Sequence, residues 1–269
     1  GTNSTGGTVG APNIVYEVVF TTGTSYFEVH MGRNARCSSD TTAPTISSIS
    51  STKTNGSYTV GEVIPINFTF SEAVTSAGTV TATLETGSID RTCTFTVSSA
   101  TTSSCNYTVQ SGDTTSDLTV SSVSGTIRDA ANNTMTNFTP TTNLAANKDI
   151  VIDTTAPTIS YVTSTASNGS YRTNQTIPIA VVFSESVTVA SGTPQLQILT
   201  GSPITSAINY SSGSPSSTLI FNYVVSSTHY SSDLDYASTG ALSLNSSTIR
   251  DAAGNNATLT LPSPGATSS

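Results

Sequence analysis

The sequence predicts an all-β chain: two tandem antiparallel β-sandwiches, preceded by an extended strand and a hairpin. Three observations predict it. The chain repeats itself, Asp40-Thr-Thr-Ala-Pro-Thr-Ile46 returning 113 residues later as Asp153-Thr-Thr-Ala-Pro-Thr-Ile159. Ser and Thr make up more than a third of the 269 residues, while charged residues are 9 % and hydrophobic ones 35 %. That mixture, rich in Val, Ile, Thr and Tyr, suits strands with a hydroxyl-covered outer face and not a disordered chain. Third, no long segment has helical periodicity.

Residues 1–39 come first. Within them 13–20 read as an extended strand, and 18–20 with 26–31 as a hairpin around Thr-Thr-Gly-Thr-Ser. Repeat one, 40–152, opens with a strand at 45–49. Asn55-Gly56 is a turn signal. A β-rich run follows at 63–70 and ends beside Glu72. Further strands are expected at 79–84, 92–97, 105–109, 118–123 and 149–152. Repeat two, 153–269, echoes these landmarks. Asn55-Gly-Ser-Tyr58 returns as Asn168-Gly-Ser-Tyr171, Ile64-Pro-Ile66 as Ile177-Pro-Ile179, and Phe70-Ser-Glu72 as Phe183-Ser-Glu185. The spacing then drifts as loops lengthen: Ser116-Asp-Leu118 matches Ser232-Asp-Leu234, and Thr126-Ile-Arg-Asp-Ala-Ala131 matches Thr248-Ile-Arg-Asp-Ala-Ala253. About seven short strands per repeat, with turns between them, predict sandwiches of immunoglobulin type.

The Asp-Thr-Thr-Ala-Pro opening, the Phe-Ser-Glu segment and the Ile249-Arg-Asp-Ala-Ala-Gly-Asn255 turn resemble bacterial Ig-like repeats. Such repeats occur in tandem in large secreted surface proteins and adhesins. The resemblance covers 40–269. It implies the sandwich fold and an extracellular place at a bacterial surface, and it is not specific for one function. Repeat one has Asn132 where repeat two has Gly254. Asn is the next-best residue to Gly in left-handed backbone, so the turn is expected to survive the change.

Several function classes are disfavoured. A net charge of −8 with 8 basic residues and no basic cluster argues against nucleic acid. No apolar run approaches the roughly 18 residues of a membrane span, so no membrane insertion is expected. His30 and His229 fall in different modules, neither in a metal spacing. No Gly-x-Ser-x-Gly elbow and no phosphate loop is present, and an enzyme is not expected. An isopeptide from Lys53 or Lys148 would need a buried lysine beside a buried acid, and Lys53 reads as loop. Cys93 and Cys105 flank a strand–turn–strand segment and are expected to form a disulfide; two small buried thiols are the alternative. Cys37 is left over.

The acids are placed by strand direction. Asp40, Glu72 and Asp129 are expected at one end of repeat one. Asp153, Glu185 and Asp251 are expected at the end of repeat two that faces repeat one, with Asp149 near that junction. Hard cations such as Ca²⁺ take oxygens from such groups, and the resemblance implies calcium-stiffened junctions. The alternative is turn chemistry, Asp accepting from amides two residues on.

Repeat two shows no counterpart of 149–152. The head of the chain resembles the absent piece: Asn13, Ile14, Val15, Tyr16 and Glu17 match Asp149, Ile150, Val151, Ile152 and Asp153, and Val18, Val19 and Phe20 prolong the run. One expectation is therefore a bacterial surface filament assembled head to tail, with residues 13–20 as a donor strand and further copies of the chain as partners. The other is a piece of a longer repeat adhesin acting as a spacer. A ligand-binding Ig-like module, taking a host or cell-surface ligand, is a third.

Overall fold

The computed structural model describes residues 40–201, 204–267 and 269. The expected strand and hairpin of 1–39, with Asn13 to Phe20, His30 and Cys37, lie outside them. Among the described residues there are seventeen strands and one four-residue helix, and no helix is long and apolar enough to cross a membrane.

In repeat one, β1 (Ile46–Ser50) and β6 (Ala100–Thr108) flank β3 (Val63–Ser76), and β9 (Ile127–Asp129) also pairs with β3. A second sheet runs β5 (Arg91–Phe95), β4 (Val80–Glu85), β8 (Thr119–Ser124). A third has β10 (Ile150–Asp153) between β2 (Gly56–Tyr58) and β7 (Thr114–Thr115). In repeat two, β11 (Ile159–Ser164), β12 (Thr176–Ala190), β15 (Ser216–Val224), β14 (Thr205–Ser212), β13 (Gln195–Leu199) and β16 (Leu242–Ser243) follow one another in space, with β17 (Thr248–Arg250) also on β12. Every pairing between these strands is antiparallel except β10 with β2.

The strands exist because alternate side chains are apolar. Along β3, Ile64, Ile66, Phe68 and Phe70 are buried while intervening residues are not. The buried apolar side chains form two clusters, one drawn from Ile46 to Ile152 and one from Val162 to Leu261. Short turns need left-handed backbone, and Asn132 (φ 68°) and Gly254 (φ 97°) both supply it after the Asp-Ala-Ala sequence.

One expectation is corrected here. The 63–70 strand does not stop at Phe70; β3 continues to Ser76. It pairs with β6 through Thr69, breaks register, and resumes at Val74, which stands beside Ala100 of β6 and opens the pairing with β9. A bulge lets one strand change partners, and Glu72 sits in that break. β12 does the same between Val182 and Val187. The residues before β10 include a short helix, α1 (Leu144–Asn147), capped by the Asn143 side chain.

Candidate functional site

The repeats differ most at the third sheet. In repeat one, β10 runs parallel to β2 (Ile150 beside Gly56, Ile152 beside Tyr58) and antiparallel to β7 (Ile152 beside Thr115). Ile150 and Ile152 are buried. The Gly56 amide donates to the Asp149 carbonyl at 3.0 Å, and the Leu118 amide to the Ile150 carbonyl at 2.7 Å. Repeat two keeps the flanks, Asn168-Gly-Ser-Tyr171 and the segment 230–234, but among the described residues no strand lies between them.

A groove of about 730 Å³ takes that place. Val162, Ile177, Ile179, Ile198 and Tyr223 are among its lining residues, with Tyr171 and Tyr230. The uncovering is measurable. Ile49, Ile64 and Ile66 of repeat one are 0 % exposed, and their counterparts Val162, Ile177 and Ile179 are 6 %, 8 % and 7 % exposed. Leu118 is buried, whereas its counterpart Leu234 is only partly so. Tyr230 is 72 % exposed. Among the described residues, the amides of Gly169 and Leu234, counterparts of Gly56 and Leu118, find no hydrogen-bond acceptor.

His229 braces one wall. Its Nδ1 accepts from the Ser226 amide at 3.2 Å and lies 3.0 Å from the Tyr223 hydroxyl. The ring stacks on Tyr223, with centroids 5.7 Å apart. Burial pushes the Tyr223 hydroxyl above its ordinary pKa. An amide can only donate, so Nδ1 is an acceptor and the neutral ring carries its proton on Nε2. Nε2 therefore donates to Ser206 Oγ, 3.3 Å away. This pair does not offer Ser206 a base, so it lacks the arrangement that activates a serine nucleophile.

The acids gather as two triads. Carboxylate oxygens of Asp40, Glu72 and Asp129 lie within 4.8 Å of one another, as do those of Asp153, Glu185 and Asp251. Glu72 and Glu185 have raised pKa values, first through desolvation and then through the neighbouring aspartates. Each triad could lend a hard cation three carboxylate oxygens, one per residue. The aspartates already hold turns. Asp129 accepts from the Asn133 amide at 2.8 Å and from Asn133 Nδ2 at 2.7 Å. Asp251 accepts from the Gly254 and Asn255 amides and from Asn255 Nδ2. Asp40 and Asp153 each accept from the amide two residues on.

Asp149 does not join the junction triad and is corrected here. It precedes β10, whereas Asp153 ends it, about 13 Å away at strand spacing. Asp149 Oδ2 accepts instead from Asn55 Nδ2 at 2.8 Å. Lys53 pairs with Glu62 at 2.8 Å and lies over the Tyr58 ring, solvent-accessible in part. Cys93 and Cys105 form a disulfide, with Cα atoms 5.6 Å apart. At the junction of the repeats, Thr154 Oγ1 donates to the Asp113 carbonyl at 2.9 Å, and the Thr59 hydroxyl meets Asn255 Oδ1.

No protein-family model matches this chain, and no curated protein matches it. The groove and its neighbours carry the functional reading. Sequence reasoning missed the role of His229, although its place, three past Ser226 and three before Ser232-Asp-Leu234, mirrors that of Asp113, three past Gln110 and three before Ser116-Asp-Leu118.

Proposed function

We propose that this chain is a structural subunit of an extracellular bacterial surface filament, built of two tandem Ig-like sandwiches and assembled head to tail by β-strand donation. One observation carries the reading: repeat two has a groove, floored by Val162, Ile177 and Ile179 and rimmed by polar residues, at the place that β10 fills in repeat one. Residues 13–20 of one copy would enter the groove of the next. Main-chain hydrogen bonds would supply strength, and alternate apolar side chains would cover Ile177 and Ile179. The donor and acceptor surfaces are different, so the contact does not close on itself and builds fibres.

A second reading, a spacer within a larger adhesin, is favoured by the junction. There β10 runs directly into the second repeat, and the Asp153 triad and the Thr154 bonds sit at the joint.

Negative-stain microscopy of the 269-residue chain tests these readings. Filament assembly gives regular fibres with an axial repeat near 60–80 Å, about two sandwich lengths, and loses them when residues 1–20 are deleted. Short rods at every concentration favour the spacer, and fibres that survive the deletion rule out strand donation by this segment.

A further inference from the structure

We infer that the groove of repeat two accepts its strand in one direction and one register: Asn13 to Glu17 of a second copy, parallel to residues 168–171, with Ile14 and Tyr16 facing inward. The inference rests on the strand-donation reading and adds to it the geometry of the contact.

Repeat one supplies the template. There β10 puts Ile150 beside Gly56, Val151 beside Ser57 and Ile152 beside Tyr58, and it buries alternate residues. Carried to repeat two, Ile14 stands beside Gly169, Val15 beside Ser170 and Tyr16 beside Tyr171. The two unpaired amides then find acceptors. Gly169 donates to the Asn13 carbonyl, as Gly56 does to Asp149, and Leu234 donates to the Ile14 carbonyl, as Leu118 does to Ile150. Asn168 meets Asn13 where Asn55 meets Asp149.

The opposite wall is already in position to receive the strand. In repeat one the Thr114 amide donates to the Thr86 carbonyl at 2.9 Å, and in repeat two the Tyr230 amide donates to the Thr200 carbonyl at 3.0 Å. Glycines sit at matching places behind each wall. A Cβ on Gly87 would lie 2.8 Å from the Thr114 carbonyl oxygen, and one on Gly201 would lie 2.5 Å from that of Tyr230. Tyr230 and Ser231 thus stand where Thr114 and Thr115 stand, without any strand between the walls. The edge is set before the donor arrives, so it selects a register instead of adapting to one.

Chemistry disfavours the neighbouring registers. A slip by one residue turns Val15 and Glu17 inward and places a carboxylate on the isoleucine floor. A two-residue slip in one direction sets Pro12 at an inward strand position, where it has no amide to give.

Two sets of variants test this, each in a Cys37→Ser background and each scored by pelleting and microscopy. Ile14→Asp and Tyr16→Asp are expected to lower the assembled fraction roughly tenfold or more, because each buries a charge, and Val15→Asp is expected to leave it nearly unchanged. The monomer melting temperature serves as the folding control. For register, Val15→Cys with Ser170→Cys is expected to give a ladder of disulfide-linked oligomers on oxidation, and Val15→Cys with Asn168→Cys is not. Fibres that cross-link only in the second pair, or that tolerate Tyr16→Asp and lose assembly with Val15→Asp, overturn the register while strand donation stands. A parent chain that forms no fibres at all removes the donation reading, and this inference with it.

Discussion

His229 holds in the second repeat the position that Asp113 holds in the first. Asp113 accepts from the Tyr107 hydroxyl at 2.7 Å, the Gln110 amide at 2.9 Å and Arg91 Nε at 2.7 Å. His229 meets the Tyr223 hydroxyl, the Ser226 amide and the Ser206 hydroxyl in the same order. Tyrosine, amide and a β-strand side chain converge on one residue in each repeat, all three donating to Asp113 in the first and Ser206 accepting from His229 in the second, and that residue fixes the ones that follow it. In repeat one those residues are β7; in repeat two they are a wall of the groove.

The two acceptors are predicted to differ in weight. Asp113 is almost fully buried and bonded to a guanidinium. Asp113→Ala leaves Arg91 and Tyr107 without it and is expected to cost about 3 kcal/mol. His229→Ala removes neutral hydrogen bonds at a partly exposed site and is expected to cost about 1 kcal/mol. Urea denaturation of the two variants measures both.

The triads set a pH dependence. Glu185 has a pKa raised above its ordinary 4.5, so the folded chain binds that proton more tightly than the unfolded one. Stability then falls as pH rises from about 4.5 through the raised value. Glu185→Gln is therefore expected to raise the melting temperature at pH 7 in EDTA and to change it little below pH 4. Glu72→Gln behaves alike, by the same causes. Calcium separates the two roles of the acids. Turn chemistry alone leaves the melting temperature unchanged at millimolar Ca²⁺; cation binding raises it in the parent chain and not in Glu185→Gln.

The disulfide closes a short loop, its cysteines 12 residues apart. Replacing both by Ser is expected to lower the stability of repeat one by about 3 kcal/mol, the loop-closure magnitude at this size. Repeat two has no cysteines, and there Tyr210 packs edge-on against Phe221, with centroids 6.1 Å apart. Calorimetry on the double variant is expected to show the loss in one transition only.

The Asp-Ala-Ala turns supply an internal control. Gly254 and Asn132 share left-handed backbone. Gly254→Asn is expected to be nearly neutral, while Gly254→Val forces a β-branched residue into that region and costs about 2 kcal/mol. Thermal melts of the two variants decide it.

Much of this architecture is legible in the sequence, because repeated words mark repeated places. Asp40, Glu72 and Asp129 could be grouped by following strand directions alone, and Cys93 and Cys105 by their nearness in sequence, although the disulfide joins two sheets and not two strands of one hairpin. What was not legible depends on distant pairing. The misplacement of Asp149 came from treating a strand's start and end as one place, when β10 carries Asp149 and Asp153 to opposite ends. The full length of β3 was hidden because Ser71 and Glu72 look like a stop and are instead a register shift, beyond which β9 joins β3. His229 and Asp113 share a role but not a chemistry, so no residue match relates them. Only their common neighbours, Tyr107 and Tyr223, do so.

The continuity of β10 with the second repeat has a mechanical consequence. β10 ends at Asp153, which is already the first acid of the next triad, so no slack separates the two repeats. Tension along the chain enters β10 along its own axis. The bonds that hold it to β2 and β7 lie across that axis, so they are loaded in shear and share the force, where a terminal hairpin would unzip one bond at a time. Resistance to pulling is governed by the rate of that concerted rupture and not by equilibrium stability. A strand seated between residues 168–171 and 230–231 would carry load in the same way, making the joint between copies mechanically equivalent to the joint within one.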